Sequence, residues 1–222
     1  MVVRERNPGP AQATEEKTRD KILTAAGEVF ADQGFEGATI RAITERAGVN
    51  IAAVNYHFRD KAELYTRVVL DACSARAAWR DAIADAPASP EDRLRSLIYH
   101  FLKLLLDPAR PAWKRRLMVR EMANPTEALD QLVEQNIRPL RDEYLLPTLN
   151  ELTGGYCTRR QLGRISASVM SQCHYYLQCQ PILERLISDY KMDDAEIVEI
   201  AEHISQFSLE AIAGLTRRAR QS

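Results

Sequence analysis

Apolar residues recur along this chain at intervals of three and four, and no run alternates convincingly between apolar and polar. The first pattern predicts amphipathic helices; the missing second one argues against strands. Ile22, Ala25, Ala26, Val29 and Phe30 form one stripe, with Thr14 as its candidate cap. Gly34 is placed to end that helix in a left-handed turn that brings Phe35 back onto the core. Ile40, Ile43 and Ala47 predict a short helix over 39–47. Asn50 can cap a second over 51–56, with Val54 and then Phe58 turned inward. Asp60 with Glu63 reads as a capping box, and Leu64, Val68, Ala72, Ala75 and Trp79 continue from it, predicting one long helix over 60–84.

Prolines punctuate the rest. Ser89 caps and Pro90 opens a helix whose face is Leu94, Leu97, Ile98, Phe101 and Leu105. A short helix follows over 113–123. Pro139 and Pro147 fall inside 126–152 and should kink or divide it. Thr158 with Gln161 caps a stripe of Leu162, Ile165, Val169, Cys173 and Tyr176. Asp193 with Glu196 caps another, running from Ile197 through Ile204 and Phe207 to Leu215. The fold class expected is all-α, with about nine or ten helices.

The stretch 39–61 organises this arrangement. Two short helices joined at Gly48-Val49, where glycine is free to take positive φ, make a helix-turn-helix. Such a unit cannot bury a core alone, so it must sit on longer helices. Its second helix is the one usually laid in a DNA major groove. The residues Thr39-Ile40-Arg41, Ala47-Gly48-Val49-Asn50, Tyr56-His57-Phe58 and Lys61, with Phe30 to Phe35 upstream, resemble the DNA-binding signature of TetR-family transcriptional repressors. Asn55 departs from that signature, which more often has Tyr there. Val54 to Phe58, with Arg120-Glu121-Met122 and Ile137 to Leu140 downstream, is similar to the CecR-like branch of that family.

The resemblance implies an N-terminal three-helix DNA-binding domain over 14–61, behind a flexible arm over 1–13, and a helical effector-binding and dimerisation domain over 62–222. It implies a cytoplasmic homodimer that represses transcription from a palindromic double-stranded operator and responds to a small-molecule effector. Residue by residue, it assigns phosphate contacts to Thr39, Tyr56, His57 and Lys61, and a phosphate or guanine contact to Arg41. Asn50 opens the recognition helix. Ile51, Ala52 and Ala53 offer methyl groups to thymine, and Asn55 offers an amide to adenine. Trp79, Phe101, Trp113, Met118, Met122 and Tyr175 are candidates for an effector pocket, although the same residues serve equally well as plain core.

Composition narrows the alternatives. Thirty Lys+Arg against 31 Asp+Glu leave a net charge of −1, and residues 1–61 hold nine of each sign. DNA binding must therefore rest on local placement of a few cations and helix ends, not on a general positive field. Cys73, Cys157, Cys173 and Cys179 show no metal-ligand spacing, and His100 and His174 sit in apolar stretches as satisfied, partly buried histidines. No cofactor or metal is expected. No N-terminal signal and no 18-residue apolar run appear, so no membrane span is expected. A helical enzyme with a fused DNA-binding module finds no Ser/His/Asp order, phosphate loop or metal spacing to support it. An activator of the same fold reads identically to a repressor.

Overall fold

A computed structural model describes residues 10–74 and 89–220, and the described residues form helices with no strand. Helix α1 (Pro10–Gly37) begins four residues before Thr14, with proline at its first position, where the missing N–H breaks no bond. At Gly34, where the sequence placed the end of the helix, the backbone leaves helical geometry with φ 75° and ψ 176°, and the helix resumes beyond this kink as far as Gly37. Helices α2 (Ile40–Ala47) and α3 (Ile51–His57) follow, capped by Thr39 and Asn50 and separated by Gly48 at φ 64°. Helix α4 (Lys61–Ala72) is capped by Asp60, whose carboxylate accepts the Glu63 amide at 2.8 Å.

Helix α4 stops well short of the expected length. Cys73 is its C-cap, and neighbours satisfy the carbonyls that another helical turn would have used. Arg110 donates to the Ala72 carbonyl at 2.8 Å and to the Leu104 carbonyl, and Asn136 donates to the Cys73 carbonyl at 3.3 Å. The remainder of the expected helix, with Trp79 and Ile83, lies outside the described residues.

The C-terminal part comprises α5 (Pro90–Leu106), α6 (Ala112–Ala123) and α7 (Glu127–Leu132), then two π-helical runs (Val133–Ile137 and Leu140–Leu145) that lead into α8 (Leu146–Leu152). Pro139 sits between the two wide-turn runs. The missing proline donor is thus absorbed by widening the helix, where a kink or a division was expected. Helices α9 (Arg159–Gln178), α10 (Gln180–Leu186) and α11 (Asp194–Ala219) complete the chain, with the Thr158–Gln161 capping box and the Asp193 cap where the sequence placed them.

Two cores result. The first gathers Ile22, Phe30, Ile43, Val54, Phe58, Leu64 and Val68 from the head, and takes in Trp113 and Leu117 of α6 and Leu132 of α7. Helices α1 to α3 are too short of apolar surface to close this core, so α4 and α6 finish it. The second lies among α5, α8, α9 and α11, with Leu94, Ile98, Leu102, Leu149, Val169 and Ile204 buried inside. Each such side chain contributes roughly 1.5–3 kcal/mol of burial.

The contact that joins head to body is tight. A side-chain carbon at Gly27 would stand 2.5 Å from the Trp113 ring, so only glycine lets α6 lie this close to α1. At Gly34 the same position would meet Arg120, which crosses there to donate to the Asp32 carbonyl at 3.2 Å. Gly27→Val should therefore lower unfolding stability by about 1–3 kcal/mol. Urea denaturation checks this; an unchanged midpoint would mean that Trp113 does not press on α1.

Candidate functional site

The helix-turn-helix presents a short outward face. Ile51, Ala52, Asn55 and Tyr56 are exposed, Tyr56 by 71%, while Ala53 and His57 are half-buried and Val54 is core. Sequence spacing produces this split, since Val54 and Phe58 are one helical turn apart and anchor the opposite side. The Asn50 side chain accepts the Ala53 amide at 2.8 Å, so its oxygen serves as a cap. Thr39 caps α2 in the same way through the Ala42 amide at 3.1 Å, and its hydroxyl proton remains able to donate. Arg41 is exposed and ion-paired with Glu45 at 2.8 Å. Tyr56 meets the edge of the His57 ring at 5.1 Å, and its hydroxyl is hydrogen-bonded to Glu15, which raises its pKa.

Lys61 faces inward, against the expectation of a phosphate anchor. Its ammonium donates to the Phe35 carbonyl at 2.9 Å and the Ala38 carbonyl at 3.1 Å, and lies 4.6 Å from the centre of the Phe35 ring. The chain leaving α1 exposes those two carbonyls, and a cation at the start of α4 is the nearest donor. Lys61 thus clamps α1 to α4 and holds the turn that carries α2.

Behind the head lies a cavity of about 590 Å³. The last turn of α4 forms one side through Val69, Ala72 and Cys73. Phe101 and Leu104 of α5, Met118 and Met122 of α6, and Met170 and Leu177 of α9 add apolar wall. The π-helical segment supplies Gln135, Asn136, Leu140 and Tyr144. Burial pushes the Cys73 thiol up to about 12, which keeps it protonated and unreactive.

One polar cluster stands in this wall. Glu121 is only 1% exposed. Its carboxylate accepts the Tyr65 hydroxyl of α4 at 2.6 Å, and the Thr126 amide and hydroxyl at 2.9 and 3.0 Å. Burial, and then the Glu121 acceptor, raise the Tyr65 pKa well above that of an ordinary phenol. The Tyr65 ring in turn meets Phe30 and Phe35 edge-on, at 4.8 and 5.1 Å.

Comparison with known proteins bears on these two features. The family model of bacterial regulatory proteins of the tetR family matches residues 22–68, and that of the C-terminal domain of the HTH-type transcriptional dual regulator CecR matches residues 90–212, more than half of the chain. This protein is a TetR-family transcriptional regulator. It is 30% identical over 79 residues to the repressor KstR2 of Mycolicibacterium smegmatis, covering 36% of this chain and 38% of that one. It is 26% identical over 118 residues to the regulator AcrR of Shigella flexneri, covering 53% of each. The chain thus spans about half, or less, of the curated relatives it matches. Among solved structures, a putative transcriptional regulator from Pseudomonas aeruginosa PAO1 superposes with a TM-score of 0.68 at 22% identity, over 91% of this chain and 94% of that one. FadR from Bacillus subtilis, solved in complex with stearoyl-CoA, superposes with a TM-score of 0.64 at 15% identity, over 86% and 97%. At these identities the likeness is one of fold.

In this TetR-family chain the cavity collects three of the six expected pocket residues, Phe101, Met118 and Met122. Trp113 belongs elsewhere: it is buried in the head core against Gly27, because α6 turns that side toward α1. Tyr175 is also displaced, 48% exposed on the outer side of α9 beside His203. Trp79 lies outside the described residues. His174 is the satisfied, partly buried histidine expected, its Nδ1 3.0 Å from the Met170 carbonyl, and it lines the cavity. The π-helical wall was not singled out as part of a pocket. The two prolines within one helical pattern were the only signal that this segment departs from an ordinary helix. No described helix is long and apolar enough to cross a membrane.

Lys61→Met should lower unfolding stability by about 1–2 kcal/mol, as expected for losing partly exposed hydrogen bonds from a charged donor. It should leave the salt dependence of DNA binding near wild type. A loss of one counterion from that salt dependence, with stability intact, would restore the phosphate role.

Proposed function

We propose that this regulator is a homodimeric repressor whose hold on a palindromic operator is released when a small, largely apolar molecule fills the cavity. The observation that carries this reading is the position of α4. Its first turn carries Lys61 and Leu64, which belong to the head, and its last turn is cavity wall. A ligand that moves Val69 or Ala72 moves the seat of the recognition helix. Two such helices must stand about 34 Å apart, or a near multiple, to enter grooves on one side of the duplex. A shift of a few ångströms then loses one half-site. That FadR, of the same fold, is bound to stearoyl-CoA supports a cavity of this kind taking an apolar ligand. Within the head, Asn55 is the exposed amide suited to adenine, and Ile51 and Ala52 suit thymine methyls.

By linkage, operator DNA must weaken ligand binding by the factor through which the ligand weakens operator binding. A compound found by thermal-shift screening should show this reciprocity when its affinity is measured with and without operator. Equal affinities would overturn the release mechanism for that compound. Met118→Trp, which fills the cavity, should abolish release and leave operator affinity near wild type.

Most of the apolar stripe on α9 and α11 is used within the chain. Val169 and Ile204 are 2% and 1% exposed and serve this chain's own core. The apolar surface left uncovered on α9 and α11 includes Tyr175, Phe207 and Leu215, exposed by 48, 60 and 44%. We assign the dimer face to these. Phe207→Glu should give a folded monomer by light scattering, with operator affinity down at least about tenfold as one half-site is lost. A variant that stays dimeric would move the interface elsewhere.

A further inference from the structure

The cavity is apolar in surface but unbalanced in charge. Three charged side chains line it, Glu121, Glu143 and Arg141. Arg141 already has a carboxylate partner, Asp142 at 2.8 Å. Glu121 is the buried member, and its three donors, the Tyr65 hydroxyl and the Thr126 amide and hydroxyl, are all neutral. No lysine or arginine among the described residues forms an ion pair with it. A carboxylate can accept roughly four hydrogen bonds, so one site remains on the oxygen shared with Tyr65. His174 also lines the cavity, and its Nδ1 proton is directed to the Met170 carbonyl, which can only accept.

A buried carboxylate with no cation at ion-pair distance repels an anionic ligand and attracts a cationic one. A volume of about 590 Å³ falls within the roughly 300–1,000 Å³ of sites that take drug-sized molecules. We propose that the effector is an amphipathic amine: its ammonium hydrogen-bonds to Glu121, its hydrocarbon part lies along Phe101, Met118 and Leu140, and capture of the carboxylate loosens the bond to Tyr65. This rests on the reading of the cavity as the effector site and adds the ligand's charge and the residue that reads it. The route to the head is then one side chain long. Tyr65 is on α4, and its ring is wedged against Phe30 and Phe35, the latter beneath the Lys61 ammonium.

The test uses the full chain and three probes that differ only in head group, dodecylamine, 1-dodecanol and dodecanoate, titrated calorimetrically at neutral pH below their aggregation limits. Wild type should bind the amine at least about tenfold more tightly than the alcohol, as a charge-assisted hydrogen bond provides, and the carboxylate most weakly. Glu121→Gln should erase the amine's advantage and leave the alcohol's affinity within about twofold. Tyr65→Phe frees an acceptor site without removing the charge. It should bind the amine more tightly while the amine no longer weakens operator binding, and this arm stands if the glutamine variant fails to fold. Dodecanoate matching the amine in wild type, or a glutamine variant that keeps the preference, overturns the proposal. Equal binding of all three overturns the charge assignment and leaves the cavity reading standing. Binding of none, or binding without effect on operator affinity, overturns the cavity reading and this proposal with it.

Discussion

Glu121 brings a carboxylate into a place that excludes water, and everything around it is arranged to keep that group hydrogen-bonded. Its donors come from two places in the chain, α4 through Tyr65 and the turn before α7 through Thr126. A buried acceptor left without partners costs roughly 1–3 kcal/mol, more when charged. The three helices are therefore fixed relative to one another by a single side chain on α6. Because Trp113, eight residues earlier on the same helix, fills the space above Gly27, α6 also sets the seat of α1. The head is built on α6 as much as on its own three helices.

This explains why a short α4 can serve as the link. Twelve residues of helix span about 18 Å, too little for a long lever. They do suffice to join the head core to the cavity, since Leu64 and Val68 are buried in that core while Val69, Ala72 and Cys73, packed on the same core, also line the cavity. The far end is tied by Arg110 and Asn136, side chains that replace the next helical turn. The joint between head and cavity consists of packed contacts and a few polar bonds at one shared helix.

The DNA-facing side follows a different economy of charge. Arg41, Arg46 and Arg59 each have a carboxylate within ion-pair distance, and all three are substantially exposed. Exposed pairs of this kind are worth little, so a phosphate can replace the carboxylate at small loss. A neutral head is then compatible with DNA binding: its cations are stored in exchangeable pairs, while its fixed positive ends are the capped starts of short helices.

Much of this was legible in the chain. Helical periodicity, the caps at Asn50, Asp60, Ser89, Thr158 and Asp193, and the glycines at 34 and 48 are local signals, and local hydrogen bonding obeys them. The helix-turn-helix was legible for the same reason, since its order and spacing lie within about twenty consecutive residues. What periodicity could not say is which of two cores a stripe faces. Trp113 and Met118 sit on one helix, yet one packs on α1 and the other on the cavity. Val169 and Tyr175 part in the same way, one to this chain's interior and one to its surface. Lys61 turned inward because carbonyls 23 and 26 residues earlier lay within its reach. Sequence by itself determined the all-helical fold class, most of the helix caps and the family. Only the tertiary structure decided the cavity, its buried carboxylate and the length of α4, because each depends on partners that meet across long separations in the chain.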